Sequence, residues 1–385
     1  VIEKVQFRNF KAYRSLDLEL EPFTVLVGPN ASGKTTLLEG LRMLSTNGAP
    51  ALAKNSPRVP VIASNLRSFG SDQPIELIFH GQWGRAPGRI HLRGNALNER
   101  GVVHPVSGEW AGKTFSFSKP VVLSAASRRQ EELRFYEKLK MELRATAVLR
   151  FETAKLAESS YSESAIPEVS SDGSGLASAL AYLKLSQEEL FLEIELSLKK
   201  IVPSVRRIRI ERAAVEHSTQ RTIALDEHKT QISEERLLWG NRVVLDMQGA
   251  KGVPADSAGE GTLMVLGLLT VLLGAKKPRL VLLDDIELSL HPVAQGKLIE
   301  VLRAIQKNDP ELQIVATSHS PFILNYLKPE EIRMTFLAEN GFARCEKLTA
   351  HPEFEKWKGL MSPGEFWSTV GESWIAKVPA SAPHE

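Results

Sequence analysis

The stretch FTVLVGPNASGKTT, residues 23–36, constrains this chain more than any other. A continuous apolar run ends at Gly28, and a second glycine, Gly33, is followed directly by Lys34 and Thr35. The spacing fits the pattern G-x-x-x-x-G-K-[ST], which requires a strand buried on both faces, a tight loop and then a helix. Gly28 and Gly33 let the backbone wrap closely, so that main-chain N–H groups point inward at an anion. The helix N-terminus adds the positive end of its dipole. Gly28, Pro29, Asn30, Ala31, Ser32, Gly33, Lys34, Thr35 and Thr36 are therefore the candidate phosphate-binding segment. Lys34 is placed to neutralise β- and γ-phosphates, and the Thr35 hydroxyl suits Mg²⁺. A glycine turn matching by chance is the competing reading, and the strand before it and helix after it argue against that.

A loop of this kind needs an acid at the end of a neighbouring buried strand to hold Mg²⁺. LVLLDDIELSLHP, residues 280–292, offers one. Asp284 ends the apolar run and is the metal candidate, beside Thr35. Asp285 is the candidate for polarising the attacking water, with Glu287 as the competing base. IVATSHSPF, residues 314–322, delivers Thr317, Ser318 and His319 at the C-terminal end of a further apolar strand, where ligands sit in such sheets. His319 takes the place of a γ-phosphate sensor. DSAGEGT, residues 256–262, is a turn at the start of a long apolar helix, again an anion site. Ser257, Gly259 and Glu260 are its candidates, with a register centred on residues 259–262 as the alternative.

The order of these motifs, with the opening VQFRNFKAYRSLDLEL, resembles the ABC-type ATPases of the RecF/SMC/OLD group. The resemblance spans residues 1–45 and 250–335 well and the middle in outline. It implies an α/β fold: a phosphate-loop ATPase head with a mixed antiparallel lobe and an inserted helical arm. It implies ATP and Mg²⁺ as cofactors, and Lys11 approaching the nucleotide. It implies a homodimer or higher homo-oligomer in which Ser257, Gly259 and Glu260 act in trans on the partner's nucleotide. A partner effector, such as a nuclease in an anti-phage system, and DNA are the further partners it suggests. The alternative is an ATP-held scaffold with little turnover; a transporter is disfavoured by the inserted lobe. Two departures stand out. The family's Asp–Glu–Pro–Glu reads Asp–Asp–Ile–Glu here, and no Q-loop glutamine is assigned, Gln130 being the candidate. The roughly 50 residues after TSHSP are too few for the metal-dependent nuclease domain of the OLD proteins.

The rest of the sequence fills in this frame. Residues 1–125 are expected to hold the first half of the head with its antiparallel lobe, 126–203 the helical insertion, 204–335 the second half, and 336–385 a hairpin and tail. Residues 45–73 look irregular. A long charged helix is expected from Gln130 to Glu158, a polar mobile break over residues 158–175, and a helix with a Ser186–Glu189 capping box ending at Pro203. SVRRIRIERA and NRVVLDM read as strands, and Arg207 with Arg209 shares a face that could track phosphates or simply be solvated. Trp367 and Trp374 either anchor a partner or pack on the head. Net charge is only +2, so bulk charge does not declare a nucleic-acid partner. One cysteine, Cys345, excludes an intrachain disulfide and a thiolate zinc cluster, and fits a cytoplasmic setting. The longest apolar run, Leu263–Ala275, is too short for a bilayer span of roughly 20 residues.

Overall fold

The computed structural model describes residues 1–46, 66–94, 103–116, 129–143, 145–225 and 228–377. Along the chain, alternating apolar residues give β1 (Ile2–Phe10) and β2 (Tyr13–Glu19), and Leu16, Leu18 and Leu20 are all buried. The apolar run gives β3 (Phe23–Val27), and α1 (Lys34–Thr46) follows the glycine loop. The antiparallel lobe is β4 (Ile75–Trp83), β5 (Ala86–Gly94), β6 (His104–Trp110) and β7 (Lys113–Ser116). Then come α2 (Arg129–Leu143), β8 (Thr146–Leu149), α3 (Thr153–Ala157), α4 (Leu176–Ser186) and α5 (Glu188–Ile201). A long ribbon, β9 (Val205–Leu225) and β10 (His228–Met247), leads through β11 (Ala250–Pro254) to α6 (Glu260–Leu273). The last third is β12 (Leu280–Leu283), α7 (Pro292–Asn308), β13 (Gln313–Ser318), α8 (Pro321–Leu324), β14 (Ile332–Leu337) and β15 (Ala343–Lys347). The short α9 (Phe354–Trp357) and the capped α10 (Pro363–Val370) follow.

The chain divides into two compact units, Val1–Val148 with Pro278–Glu287 and Gln306–Glu385, and Leu149–Lys277 with Leu288–Ile305. The first unit carries two six-stranded sheets, ordered β2-β1-β4-β5-β6-β7 and β15-β14-β3-β13-β12-β8. In the second sheet β3 runs parallel to both β13 and β14, and β12 parallel to β13. All residues of β3, β12 and β13 are buried, which is why these strands read as unbroken apolar runs. The apolar core of this unit takes in Phe7, Phe10, Phe79, Leu26, Leu37 and Leu41. Gly40 lets α1 lie against the Phe7 ring: a Cβ there would meet ring atoms at 2.4 Å. Trp374 is 8% exposed and stacks edge-on with His351, so this tryptophan packs on the head.

The second unit has a three-stranded sheet, β11-β10-β9, in which β9 and β10 pair antiparallel from Val205–Met247 out to Leu225–His228. In α6, Leu263, Val265, Leu266, Leu268, Leu269, Leu272 and Leu273 are buried, so the longest apolar run is a core helix. No helix among the described residues is long and apolar enough to cross a membrane.

Several expectations need correction. The helix predicted over 130–158 ends at Leu143; Val148 lies on β8, which borders β12 at the sheet edge. β-branched Thr146 and Val148 favour that extended form. The segment 158–175 is fixed rather than loose: Ser160 exchanges backbone hydrogen bonds with Asn241, and Arg150 and Glu152 donate to Ser171 and Asp172 carbonyls. Ser186 ends α4 and caps nothing; Gln187 stands at the junction with α5. The capping box forms instead at Ser362 and Glu365. Most of the irregular stretch 45–73, and the side chain of Gln130, lie outside the described residues.

Candidate functional site

β3 delivers the glycine loop to the C-terminal edge of its sheet. Gly28 has φ +147°, and a Cβ on it would lie 2.2 Å from the Thr335 carbonyl oxygen of β14. Gly33 has φ +100°, with the Tyr13 hydroxyl 2.9 Å and the Ala343 Cβ 2.8 Å from a would-be Cβ. Both positions thus require glycine for conformation and for space. The Thr335 hydroxyl donates to Val27 O at 3.0 Å, so it accepts from Ser32 Oγ at 2.5 Å, tying the loop to β14. Ala31 takes φ +61° at the loop's outer turn, and Pro29, Asn30, Ala31 and Thr35 are exposed at its mouth.

Lys34 is 6% exposed, and its ammonium donates to Gly28 O and Pro29 O, each at 2.8 Å. Burial lowers its pKa, opposed by the negative charges of Asp285, Asp284, Glu287 and Glu372. The ammonium is therefore turned back onto its own loop, within the field of the acids at the strand ends.

β12 ends at Asp284, whose Oδ1 accepts from the Thr317 hydroxyl of β13 at 2.7 Å. That hydroxyl accepts in turn from Asp285 N at 2.8 Å, and Thr317 O accepts from Ile286 N at 2.9 Å. One buried threonine thus closes the turn that presents both aspartates. Asp285 has φ +56°, a left-handed conformation that aspartate tolerates better than most residues. Its carboxyl pKa is raised, by burial first and then by the neighbouring charges of Asp284 and Glu287. His319 Nε2 lies 3.9 Å from Asp285 Oδ1. Glu287 Oε1 accepts from His319 N at 2.9 Å, while its buried Oε2 has no protein partner. Lys34, Asp284, Asp285 and His319 are thus gathered at one sheet edge in one unit, with Glu287 beside them.

The oxygen donors suit a hard cation arriving with a triphosphate. Asp284 keeps one carboxylate oxygen after its bond to Thr317, and Thr35 offers an exposed hydroxyl. Mg²⁺ is commonly held by one or two such protein oxygens, with waters and phosphates completing its shell. Among the described residues no group of three His, Cys, Asp or Glu side chains is gathered closely enough to hold a metal ion by itself.

The other candidates make contacts of their own. The Lys11 ammonium, on the β1–β2 turn, pairs with Glu39 of α1. In the second unit, Ser257, Gly259 and Glu260 are exposed where α6 begins, Gly259 being its N-cap. Ser257 Oγ donates to Asp256 at 3.1 Å, and Glu260 accepts from Thr153 Oγ1 at 2.9 Å. On the ribbon, Arg209 meets Glu211 at 2.9 Å and Asp246 at 3.6 Å, and Arg242 meets Glu211 at 2.9 Å. Arg209 of the predicted basic face is therefore paired within the ribbon's own strands. Thr335, Tyr13 and Glu372 are site neighbours that the sequence did not announce, since nothing local places β14 or the tail beside the loop.

Two family models match the chain: "AAA domain, putative AbiEii toxin, Type IV TA system" over residues 137–325 and "AAA ATPase domain" over residues 1–79. An OLD nuclease of Thermus scotoductus is 32% identical over 80 residues, 21% of this chain and 14% of the relative. The DNA replication and repair protein RecF of an Arthrobacter species is 34% identical over 109 residues, 26% of this chain and 27% of that protein. The RecF of Gloeobacter violaceus is 48% identical over 87 residues, 20% and 22%. The chain thus matches well under two thirds of these relatives' own length. Among solved structures, an Smc head bound to the C-terminal winged-helix domain of ScpA superposes with TM-score 0.55 at 15% identity, covering 90% of this chain and 96% of that one. An Smc head with an extended coiled coil, bound to the C-terminal domain of ScpA derived from Pyrococcus furiosus, gives 0.55 at 13%, covering 93% and 99%.

Proposed function

From the premise that this chain is a RecF/SMC/OLD-like ABC-type ATPase, we propose that it binds MgATP at the Gly28–Thr36 loop and hydrolyses it slowly. The observation that carries this reading is the convergence of Lys34, Asp284, Asp285 and His319 in one unit, on the ends of adjacent strands. In this reading the loop amides and Lys34 hold the β- and γ-phosphates, while Thr35 and Asp284 take the Mg²⁺ that arrives with them. Asp285 accepts a proton from the attacking water, directly or through a second water, and His319 marks the γ-phosphate end. Aspartate reaches about 1.5 Å less far than glutamate, so turnover is slow. Ser257, Gly259 and Glu260 cap the nucleotide of a second copy, and the ATP-bound dimer acts with a partner effector or on DNA.

A second reading is a nucleotide-held clamp with little turnover. The short, only partly buried carboxylate of Asp285 in a left-handed turn favours it. Binding and steady-state hydrolysis of MgATP, for the wild type and Lys34→Ala, test both. Tight binding with phosphate release supports the ATPase, tight binding without release the clamp, and unchanged affinity in Lys34→Ala removes the loop assignment.

A further inference from the structure

We propose that the outward face of α5 is a self-complementary surface on which a second copy of this chain docks antiparallel, without need of nucleotide. α5 lies against α6, and its Phe191, Ile194, Leu198 and Ile201 are buried. The opposite face carries Leu192 and Leu196, 47% and 59% exposed. They stand one turn apart on the same stripe. A single exposed leucine is ordinary on a protein surface, whereas two stacked along a helix leave an apolar strip in water.

The charges around this strip are ordered. Glu188 and Glu189 lie in the first turn of α5, and Lys199 and Lys200 in the last. At 3.6 residues per turn, three turns return a side chain to the same stripe about 16 Å farther along. Glu188 and Lys199 therefore share one flank of the leucines, and Glu189 and Lys200 share the other. The pairs Leu192 and Leu196, Glu188 and Lys199, and Glu189 and Lys200 are all centred on Ile194. A two-fold axis across the helix at that level sets Leu192 on the partner's Leu196. It sets Glu188 opposite the partner's Lys199 and Glu189 opposite the partner's Lys200. Every contact then occurs twice, as an isologous interface requires. A parallel copy would set acid against acid and base against base. Glu188, Glu189 and Lys200 are exposed. Lys199 bonds Glu195 at 2.6 Å, and an ammonium has further donors for a second carboxylate.

Acids at the start and bases at the end also suit the helix's own dipole. That accounts for the charges, but not for the exposed leucines centred among them. Two helices of 14 residues make a small contact. Association should therefore be weak, with a Kd of about 10–100 μM. The ATP-dependent contact proposed at the start of α6 is a different surface. Two such two-fold contacts on one chain would link copies into assemblies larger than a dimer.

The test is sedimentation equilibrium of the full chain without nucleotide, at up to about 200 μM. Wild type should be largely paired, and the double variant Leu192→Glu, Leu196→Glu a single chain. These side chains are exposed, so their replacement leaves the core intact. Glu189→Lys and Lys200→Glu, each alone, should weaken association about tenfold or more, because two attractions become two repulsions. An equimolar mixture of these two charge variants should pair as wild type does, since each carries the charges the other lacks. A purely dipolar role predicts lower Tm in both charge variants, unchanged association and no effect of mixing. Wild type sedimenting as a single chain, a leucine variant that still pairs, or a mixture that fails to recover overturns the self-pairing.

Discussion

At the residue scale the site is organised by Thr317. It is fully buried, and its hydroxyl and carbonyl between them hold Asp284, Asp285 and Ile286. Thr317→Val keeps shape and β-propensity but leaves Asp285 N and one Asp284 oxygen without that partner. Loss of partly buried hydrogen bonds costs about 1–3 kcal/mol, so a lower Tm is expected together with reduced hydrolysis. Asp285→Asn separates binding from chemistry: ATP affinity persists, hydrolysis falls roughly 10²-fold or more, and the ATP-bound state accumulates in single-turnover measurements. If Glu287→Gln shows that loss and Asp285→Asn does not, the base is Glu287. The raised pKa of Asp285 fixes the sign of the pH effects. As a base it must be ionised, so the acid limb of the rate profile lies above that of an ordinary aspartate. Glu287→Gln removes one cause of the shift and moves the limb to lower pH. The folded state binds the Asp285 proton more tightly than the unfolded chain does. Stability therefore falls as pH rises from the unfolded to the folded pKa, and at pH 7 the full penalty is present. Asp285→Asn should then raise Tm at pH 7, an advantage that disappears below the unfolded pKa.

At the element scale, the C-terminal helix α10 docks on the segment that follows His319. Gly364 N donates to Asn325 Oδ1 at 2.9 Å, and a Cβ on Gly364 would lie 2.1 Å from Pro321 O. Gly364→Ala must push α10 away from α8. A cost of about 1–3 kcal/mol is expected, read as a lower Tm and altered tryptophan emission, since Trp367 on α10 donates to Glu372 at 3.0 Å. Elements of this kind differ in how openly the sequence declares them. β3, β12 and β13 were legible because burial on both faces leaves an unbroken apolar run, and the glycine loop because its chemistry admits few residues. Asp284, Asp285 and His319 were legible from their place at strand ends. The ribbon was legible only at its base, where Ile208 and Val243–Leu245 are buried. Farther out, AAVEHSTQRT carries little apolar alternation, and pairing rests on the partner strand. β8 was hidden because the apolar spacing of the preceding helix runs on past Leu143 into it, although Thr146 and Val148 favour the extended form. The place of Thr335 beside the loop depends on contacts across the fold, which no local pattern encodes.

At the scale of the whole molecule, the proposed dimer rests on the exposed start of α6. Ser257→Arg should leave MgATP binding of the single chain close to wild type while abolishing ATP-dependent association in sedimentation with a non-hydrolysable analogue. A normal ATP-bound dimer would place the trans contact elsewhere. The ribbon gives an independent check on partners. With Arg209 and Arg242 already paired to carboxylates, DNA association through this face should be weak and only shallowly dependent on added salt, as measured by equilibrium binding at two ionic strengths.

The position of β3 bears on how the chain is made. β3 sits between β13 and β14, yet Phe23 is synthesised 291 residues before its β13 partner Ile314, and Val25 307 residues before its β14 partner Ile332. At about 5–20 residues per second, the strand feeding the glycine loop waits roughly 15–60 s for both neighbours. During that interval FTVLV is an apolar strand with two open edges, the kind of segment that associates with other chains. Nascent chains halted before residue 313 should therefore be aggregation-prone and unable to hold nucleotide, and release of the full chain should mark the moment when both properties change together.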